Sequence, residues 1–478
     1  MSERDTCYRP HRNEHVRNED RDEENSRHDC PADRVPPFVD DSESDELDRR
    51  AFLKAAVAAG GAAAFSACLS REGGNVPRGP DDLSSHPVRQ HAWNRVLPRD
   101  DYGNVVAPRH HLLLYFGLQS DGRPTETDRE AVETALRGVE RAYERSGDGL
   151  LLTVGYSPAY FDRFDDPLPA TVDVPRPEAL SPFEDPIFDE PDAVLHLASN
   201  HANVVLGAET ALTDGRSTLN GVDQPMATLT DAFEVVDRRT GFVGTGLPAQ
   251  NADVDGVPSD SVPEDAPLFM GFKSGFEKNQ ASEDRVTIQS GPFAGGTTQH
   301  ISRLKLNLDQ WYTQDDRWQR EAKMFCPYHA QNDRIEGVGD NLGTDSGVGD
   351  CGDAMETARK TGVVGHTQKV ARAREDDSPL LLRRDFDSAD GGHAGLHFLS
   401  VQRGITDFVT TREAMNGTDL AEKSSVGQRN NNGILQYVRT VRRGNFLVPP
   451  RRLRALPPAA PADGSTGEDD SAREVPRA

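Results

Sequence analysis

The sequence is poor in cysteine, in aromatic residues and in long apolar stretches. Its 478 residues include only 5 cysteines, and 6% of them are aromatic. So few cysteines exclude a small scaffold held together by several disulfide bridges. Residues 55–67 form a small apolar stretch, which is too short for a membrane-spanning helix of roughly 20 residues.

Basic residues are also in the minority. The chain has 54 Lys and Arg against 79 Asp and Glu, which gives a formal charge of −25. Because phosphate contacts need clustered basic side chains, this balance excludes a nucleic-acid partner. The acidic residues are spread along the chain instead of being gathered in one tail, and such self-repelling surfaces favour solubility at high salt. The composition therefore predicts a protein from an organism that lives in high salt.

The N-terminal region predicts export. Residues 1–47 are almost wholly polar and should be disordered. Arg49 and Arg50 then precede the apolar stretch, a pattern typical of the twin-arginine pathway, so we assign residues 48–70 as the signal segment. The protein is then expected outside the cell or at its surface. The tripeptide before Cys68 resembles a lipoprotein cleavage box with a poorly fitting Phe65, which leaves anchoring through a lipidated Cys68 open.

Two cysteines remain beyond the signal segment. Outside the cell, Cys326 and Cys351 could form one disulfide. The spacing of Cys326 and His329 matches neither a zinc pair nor a covalent heme attachment motif. We therefore interpret the two cysteines as structural, either free or bridged.

The hydrophobic pattern predicts an α+β fold. Residues 71–105 are rich in Pro, Asp and Arg and predict a linker, and residues 456–478 predict a disordered tail. Within residues 106–250, apolar periodicity gives the order strand, helix, strand, strand, helix, strand, which is the split βαβ, ferredoxin-like pattern. Residues 265–455 can be interpreted in the same way. The expected architecture is two tandem ferredoxin-like halves with antiparallel sheets.

An ordered set of segments in both halves resembles a known family. The segments in the second half are Met270 to Gly275, Gly295 to Thr297, Ile301 to Leu306, Leu396 to Arg403 and Phe446 to Pro450. In this order, and over about residues 110–452, they resemble the dye-decolorizing (DyP-type) heme peroxidases. The resemblance implies a dimeric α+β barrel-like fold, one heme b with one iron per chain, and hydrogen peroxide and an organic donor as partners. It leaves a homo-oligomer open.

The resemblance also implies an iron ligand. A neutral imidazole is the usual axial ligand in peroxidases. The family's proximal histidine corresponds to His366, between the central block and the Leu-Arg-Arg segment. His300, His397 and His329 are the alternatives.

On the other side of the heme, cleavage of peroxide needs a base that moves a proton and a cation that stabilises charge. The family uses an aspartate and an arginine. The arginine corresponds to Arg384 or Arg383, with Arg384 preferred, and the aspartate position is occupied by Ser274. A serine hydroxyl can hold water or peroxide but cannot act unaided as a base near neutral pH.

Three further assignments complete the expected site. Glu277 is expected in the distal pocket beside Ser274, and Gly275 and Arg384 are expected to contact the cofactor together with His366. The resemblance predicts an exported heme protein that oxidises an organic donor with peroxide. Because Ser274 replaces the aspartate, a non-catalytic heme carrier or sensor is the first alternative, and a cofactor-free binding lipoprotein is the second.

Overall fold

The computed structural model describes residues 76–462. The predicted disordered segment 1–47, the signal segment 48–70 with Cys68, and residues 463–478 of the predicted tail lie outside this range. None of the helices within residues 76–462 has both the length and the apolar composition needed to cross a membrane.

The secondary structure mixes strands and helices along the whole described range. The strands are β1 His110–Leu118, β2 Leu151–Tyr156, β3 Ile187–Phe188, β4 Ala193–Ser199, β5 Thr218–Leu219, β6 Val222–Asp223, β7 Phe233–Phe242, β8 Thr297–Leu306, β9 Arg374–Glu375, β10 Ser378–Pro379, β11 Leu382–Arg383, β12 Phe386–Ser388, β13 Gly395–Gln402 and β14 Val438–Val448. The α-helices are α1 Glu126–Ala142, α2 Pro158–Phe161, α3 Ala202–Thr213, α4 Leu247–Gln250, α5 Leu308–Thr313, α6 Arg317–Met324, α7 Pro327–Gln331, α8 Ala354–Thr361, α9 His366–Val370, α10 Ile405–Asn416 and α11 Thr418–Lys423.

Eight of the strands close into an antiparallel barrel. The first half supplies four strands in the spatial order β7-β1-β4-β2, and the second half supplies β14-β8-β13-β12. When the four strands of each half are numbered in chain order, their spatial order is 4-1-3-2 in both halves. The halves join at two seams, where Phe242 of β7 pairs with Asp387 of β12 and Tyr156 of β2 pairs with Leu447 of β14. The α+β class and the barrel-like arrangement of two antiparallel sheets are confirmed.

The outer face of the first sheet is covered by two helices. Leu112 and Leu114 of β1 pack in one core with Leu136 of α1 and Val204 of α3, all of them buried. α1 begins at a capping box in which the Thr125 and Asp128 side chains each bond the other residue's backbone N–H. Because strand residues alternate between the two faces of a sheet, Leu113 and Tyr115 of β1 point into the barrel.

The barrel interior combines an apolar core with buried polar groups. Leu113 of β1 and Ile301 of β8 pack in one cluster there, which ties the two sheets together. On the same face, His111 Nδ1 lies 2.9 Å from His196 Nε2. Arg239 Nη1 donates to Asp189 at 2.8 Å, so the buried charge has an opposite charge beside it.

The described parts of the predicted linker and tail pack against the barrel. Trp93 is 1% exposed and shares a cluster with residues of β2 and β4. The side chain of Gln90 donates to the carbonyl groups of Val154 and Pro449. Leu456 is fully buried, and its N–H donates to the Tyr156 hydroxyl. A few large apolar residues in otherwise polar segments are enough to hold residues 76–105 and 456–462 against the folded body.

Candidate functional site

A cavity of about 240 Å³ lies on the outer face of the second sheet. Ser302, Leu304 and Leu306 of β8 line it, whereas Ile301 points the other way, into the barrel. The period of two along β8 therefore divides this strand between barrel core and cavity floor.

Helices and one loop complete the walls. His366 begins α9 in one wall, α10 contributes Phe408, and the segment 268–276 contributes a row of large apolar side chains. The apolar lining includes Leu268, Met270, Phe272, Phe276, Phe325 and Phe398. A concave, mostly apolar cavity with a few converging polar groups is the usual form of a small-molecule or cofactor site.

His366 is held in the cavity wall by a close backbone contact. The preceding residue is Gly365, and a Cβ atom at that position would lie 1.7 Å from the Phe325 carbonyl oxygen. Burial lowers the pKa of His366 to about 3, and the positive charges of Lys369 and Arg383 act in the same direction. The imidazole is therefore neutral at ordinary pH, with a lone pair available on one ring nitrogen. Its Nδ1 atom is buried and has no hydrogen-bond partner.

A second group of polar residues enters the cavity from one extended segment. Arg383, Asp385 and Asp387 all line it. Spacing of two residues places their side chains on the same face. Arg383 Nη1 lies 3.9 Å from Asp385 Oδ2, and the Leu399 N–H donates to Asp385 Oδ1 at 3.2 Å.

The two carboxyl groups differ from ordinary aspartates. Burial raises the pKa of Asp385 to about 6, although the charge of Arg383 opposes this shift. Burial also raises the pKa of Asp387 well above its usual value, and its Oδ2 accepts a hydrogen bond from the Phe269 N–H. Asp385 is thus an ionised acceptor at neutral pH that can take up a proton, and its partner Arg383 is a fixed donor.

The preferred arginine of the sequence analysis does not line the cavity. Arg384 lies on the opposite face of the same segment, so its expected contacts with a cofactor and peroxide are corrected. Its guanidinium carbon sits 4.3 Å from the centre of the Trp93 ring, and Nη2 donates to the His91 carbonyl at 2.6 Å. The other assignment, Arg383, is the one that the structure places in the cavity.

Three predicted site residues lie close together in one loop, and the structure places two of them outside the cavity lining. Ser274 lines the cavity as expected. Glu277 does not: it is exposed, and its carboxylate pairs with Arg99 at 3.2 Å, so its expected place in the distal pocket is corrected. Gly275 is not among the lining residues either, although its neighbours Ser274 and Phe276 are.

None of the three alternative histidines is among the residues that line the cavity. Both ring nitrogens of His300 are bonded, to Asn445 and to Ser302, each at 2.7 Å. His397 is buried with its Nε2 atom 3.7 Å from Asp390, and its ring is tilted by 42° against that of Phe386. His329 contacts the disulfide described below. His366 is the one of the four that lines the cavity.

Basic side chains are numerous around the cavity. Seven contribute to the lining: Lys273, Arg374, Arg383, Arg412, Arg429, Arg439 and Arg443. Arg412 and Arg443 share the buried carboxylate of Glu184. Arg439 is the exposed member of this set.

Most of the chain matches the model of one protein family. The model of a family of unknown function, DUF7405, matches residues 108–450, well over half of the chain. The chain belongs to this family. No curated protein matches the sequence. The matched range of this DUF7405 chain contains the whole barrel and all cavity residues named above.

Three solved structures are similar to part of this chain. A dye-decolorizing protein from V. cholerae is 16% identical, with 76% of this chain and 98% of that chain covered and a TM-score of 0.49. The encapsulated DyP-type peroxidase from Mycobacterium smegmatis is 14% identical, covering 77% and 100%, also at 0.49. DyPB from Rhodococcus jostii RHA1 is 15% identical, covering 77% and 98%, again at 0.49. At this degree of likeness nothing about ligand or activity passes to the DUF7405 chain, and its own residues must decide both.

The residues present fit a heme. A neutral histidine in an apolar wall can ligate iron, and arginines at the cavity suit the carboxylates of a porphyrin. Asp385 and Asp387 line the cavity but were not among the predicted site residues. Their spacing could have predicted this position, because Arg383, Asp385 and Asp387 lie two residues apart in an extended segment and therefore share one face of it.

Proposed function

We propose that the chain binds one heme b in this cavity and uses hydrogen peroxide to oxidise an organic donor. The observation that carries the proposal is the combination of a neutral His366 with the Arg383–Asp385 pair in one otherwise apolar cavity. His366 would ligate the iron, and basic side chains such as Arg439 would pair with the heme carboxylates. The bound heme would supply the redox chemistry.

The chain's own residues supply the proton transfer. Asp385 accepts the proton of a peroxide held beside Arg383, because its carboxylate is ionised above about pH 6. The Arg383 guanidinium stabilises the negative charge that this transfer leaves on oxygen. Ser274 can hold the peroxide or a water by hydrogen bonds, and the phenylalanine walls keep bulk water out.

The absorption spectrum of the full chain with heme supplied tests the cofactor. Wild type should show a Soret band at one heme per chain, and His366→Ala should lose or shift it. His393→Ala is the matched control, since this histidine is half-exposed, pairs with Asp255 and does not line the cavity; its spectrum should equal that of wild type. No specific heme uptake by wild type would contradict the proposal and favour the cofactor-free binding lipoprotein.

A heme carrier or sensor is the second candidate, and two observations favour it. Ser274 supplies no acid–base group, and His366 Nδ1 has no acceptor to increase the basicity of the ring. Turnover separates the two functions. A carrier would bind heme but oxidise a dye no faster with peroxide than free heme does, and Asp385→Asn would change nothing.

We also propose that the protein is exported by the twin-arginine pathway of an organism living in high salt. Arg49 and Arg50 before a short apolar stretch support export, and the charge of −25 supports the salt requirement. Replacing both arginines with lysine should retain the protein inside the cell on fractionation, and Cys68→Ser should release it from the membrane if Cys68 is lipidated. Retention of export by the Lys-Lys variant would contradict this route.

A further inference from the structure

Outside the cavity, two cysteines and a histidine form a compact cluster. Cys326 and Cys351 are bonded to each other with their Cα atoms 5.8 Å apart. His329 Nδ1 lies 3.0 Å from Cys326 Sγ and 3.2 Å from Cys351 Sγ. All three residues are buried, and their three donor atoms lie within 4.8 Å of one another.

The orientation of His329 is not explained by the disulfide. A bridge between two cysteines needs no imidazole beside it, yet the ring directs one nitrogen at both sulfurs. The other nitrogen, Nε2, is buried and has no hydrogen-bond partner. A Cβ atom on Gly347 would lie 2.6 Å from this Nε2, so a glycine is needed for the backbone to come this close to the ring.

We propose that the reduced forms of Cys326 and Cys351, together with His329 Nδ1, bind a d¹⁰ metal ion of the Zn²⁺ type. Two thiolates and one imidazole are the ligands that such ions prefer, and a water can complete a tetrahedral set. With metal–sulfur bonds of roughly 2.3 Å, two thiolates in a tetrahedral site lie roughly 3.7 Å apart. The Cα separation of 5.8 Å allows this spacing by rotation of the side chains.

The disulfide and the metal exclude each other, because both use the same two sulfur atoms. A dithiol reductant gives two electrons and two protons to the disulfide and is itself oxidised to a disulfide. The metal ion then displaces the two thiol protons, and His329 binds it as the neutral imidazole. Burial lowers the pKa of His329, so the neutral form is the one present at neutral pH.

The cluster is joined to the wall of the cavity. The Gln368 side chain, on α9, donates to the Cys351 and Gly352 carbonyl groups at 3.0 Å. The Cβ position of Gly365 abuts the Phe325 carbonyl, next to Cys326. Exchange of the disulfide for a metal ion would therefore act on the residue that precedes the short helix beginning with His366 and on the middle of that helix.

Cobalt titration tests the metal site. The full chain carrying Cys7→Ser, Cys30→Ser and Cys68→Ser is produced in a reducing cytoplasm, purified anaerobically and titrated with Co²⁺. We expect thiolate-to-cobalt absorption in the near ultraviolet, saturating at one ion per chain and abolished by added Zn²⁺. The same protein after oxidation should give no such band.

His329→Gln should weaken Co²⁺ binding at least tenfold, whereas His393→Gln, at a half-exposed histidine outside the cluster, should leave it unchanged. X-ray absorption of the zinc-loaded parent should show two sulfur ligands and one imidazole, which tests the site without relying on the folding of a variant. Absence of the thiolate band in the reduced parent, or a His329→Gln affinity equal to that of the parent, would overturn the proposal. Both results are independent of heme, so they are also independent of the proposed peroxidase function.

Discussion

At the scale of single residues, two neighbouring arginines have different environments because they lie on opposite faces of one extended segment. Arg383 points into the cavity and pairs with Asp385, whereas Arg384 is buried against Trp93 and the His91 carbonyl. Asp385 therefore brings a carboxylate into the cavity that Ser274 also lines, two residues from Arg383 and on the same face.

The first prediction concerns the proposed peroxide turnover and its decrease at acidic pH. Because Asp385 must be ionised to accept a proton, kcat/KM should fall tenfold per pH unit below about pH 6. Asp385→Asn should lower turnover by about a hundredfold with unchanged heme content, and should remove this decrease at acidic pH. Stopped-flow measurement of peroxide consumption against pH checks it.

A rescue variant sharpens this test. Adding Ser274→Asp to Asp385→Asn returns a carboxylate to the same cavity and should restore part of the lost rate. An Asp385→Asn enzyme with wild-type rate and pH profile would show that another group moves the proton.

The second prediction separates the two arginines. Arg383→Leu should lower peroxide turnover and spare folding, since this side chain makes one long ion pair at 3.9 Å. Arg384→Leu should spare turnover per bound heme but lower the free energy of unfolding by about 2 kcal/mol, because it removes a buried charged hydrogen bond and the stacking on Trp93. Urea unfolding and single-turnover assays on both variants measure the two effects. Lower turnover of Arg384→Leu with unchanged turnover of Arg383→Leu would assign the catalytic arginine to position 384 instead.

At the scale of elements, α9 is positioned by backbone packing more than by its own sequence. It has only five residues, too few to be stable alone. Contacts at Gly365, which precedes the helix, and at Gln368, its middle residue, fix where His366 enters the cavity. A short helix held in this way is sensitive to a single added methyl group.

The third prediction uses that sensitivity. Gly365→Ala places a Cβ atom 1.7 Å from the Phe325 carbonyl oxygen, a backbone atom that cannot move aside cheaply. We expect a loss of about 2 kcal/mol of stability or more, with weaker heme binding. Gly349→Ala is the matched control, since nothing lies within 4 Å of its Cβ position. Equal melting temperatures and Soret bands for the two variants would contradict the predicted contact.

At the scale of the whole molecule, the barrel closes around titratable groups. Burial lowers the pKa of His111 to about 3, and the pKa of its neighbour His196 is also well below normal. The unfolded chain binds these protons near pH 6.5, before the folded chain does. The stabilising contribution is therefore complete above pH 6.5 and is lost as the pH falls from 6.5 towards 3.

The fourth prediction follows from this linkage. Below pH 6.5, His111 should add about 1.4 kcal/mol per pH unit to the fall in the free energy of unfolding. His111→Gln, which cannot titrate, should make that fall shallower, whatever its stability at pH 7.5. Urea titrations at several pH values between 7.5 and 4.5 measure the two slopes, and identical slopes would show that His111 is protonated in the folded barrel.

Most of the architecture could be predicted from local pattern. Short apolar runs predicted the strands and apolar periodicity predicted the helices between them, so the split βαβ order of the first half followed from element order. The spatial order 4-1-3-2 was then found in both halves. His366, Arg383 and Ser274 were predicted site residues, and the structure places all three at one cavity. Glu277, Gly275 and Arg384 were expected there and lie elsewhere, because sequence proximity does not say which way a loop or strand residue points.

The sequence by itself determined the strands and helices, the acidic surface and the set of side chains able to do chemistry, since each depends on residue type and short-range spacing. Tertiary structure alone decided that Asp385 joins Arg383 and His366 in one cavity, that residues 76–105 pack against the barrel, and that His329 faces a disulfide. These depend on contacts between residues far apart in the chain, whose geometry is fixed only when both sheets close and the helices pack on them.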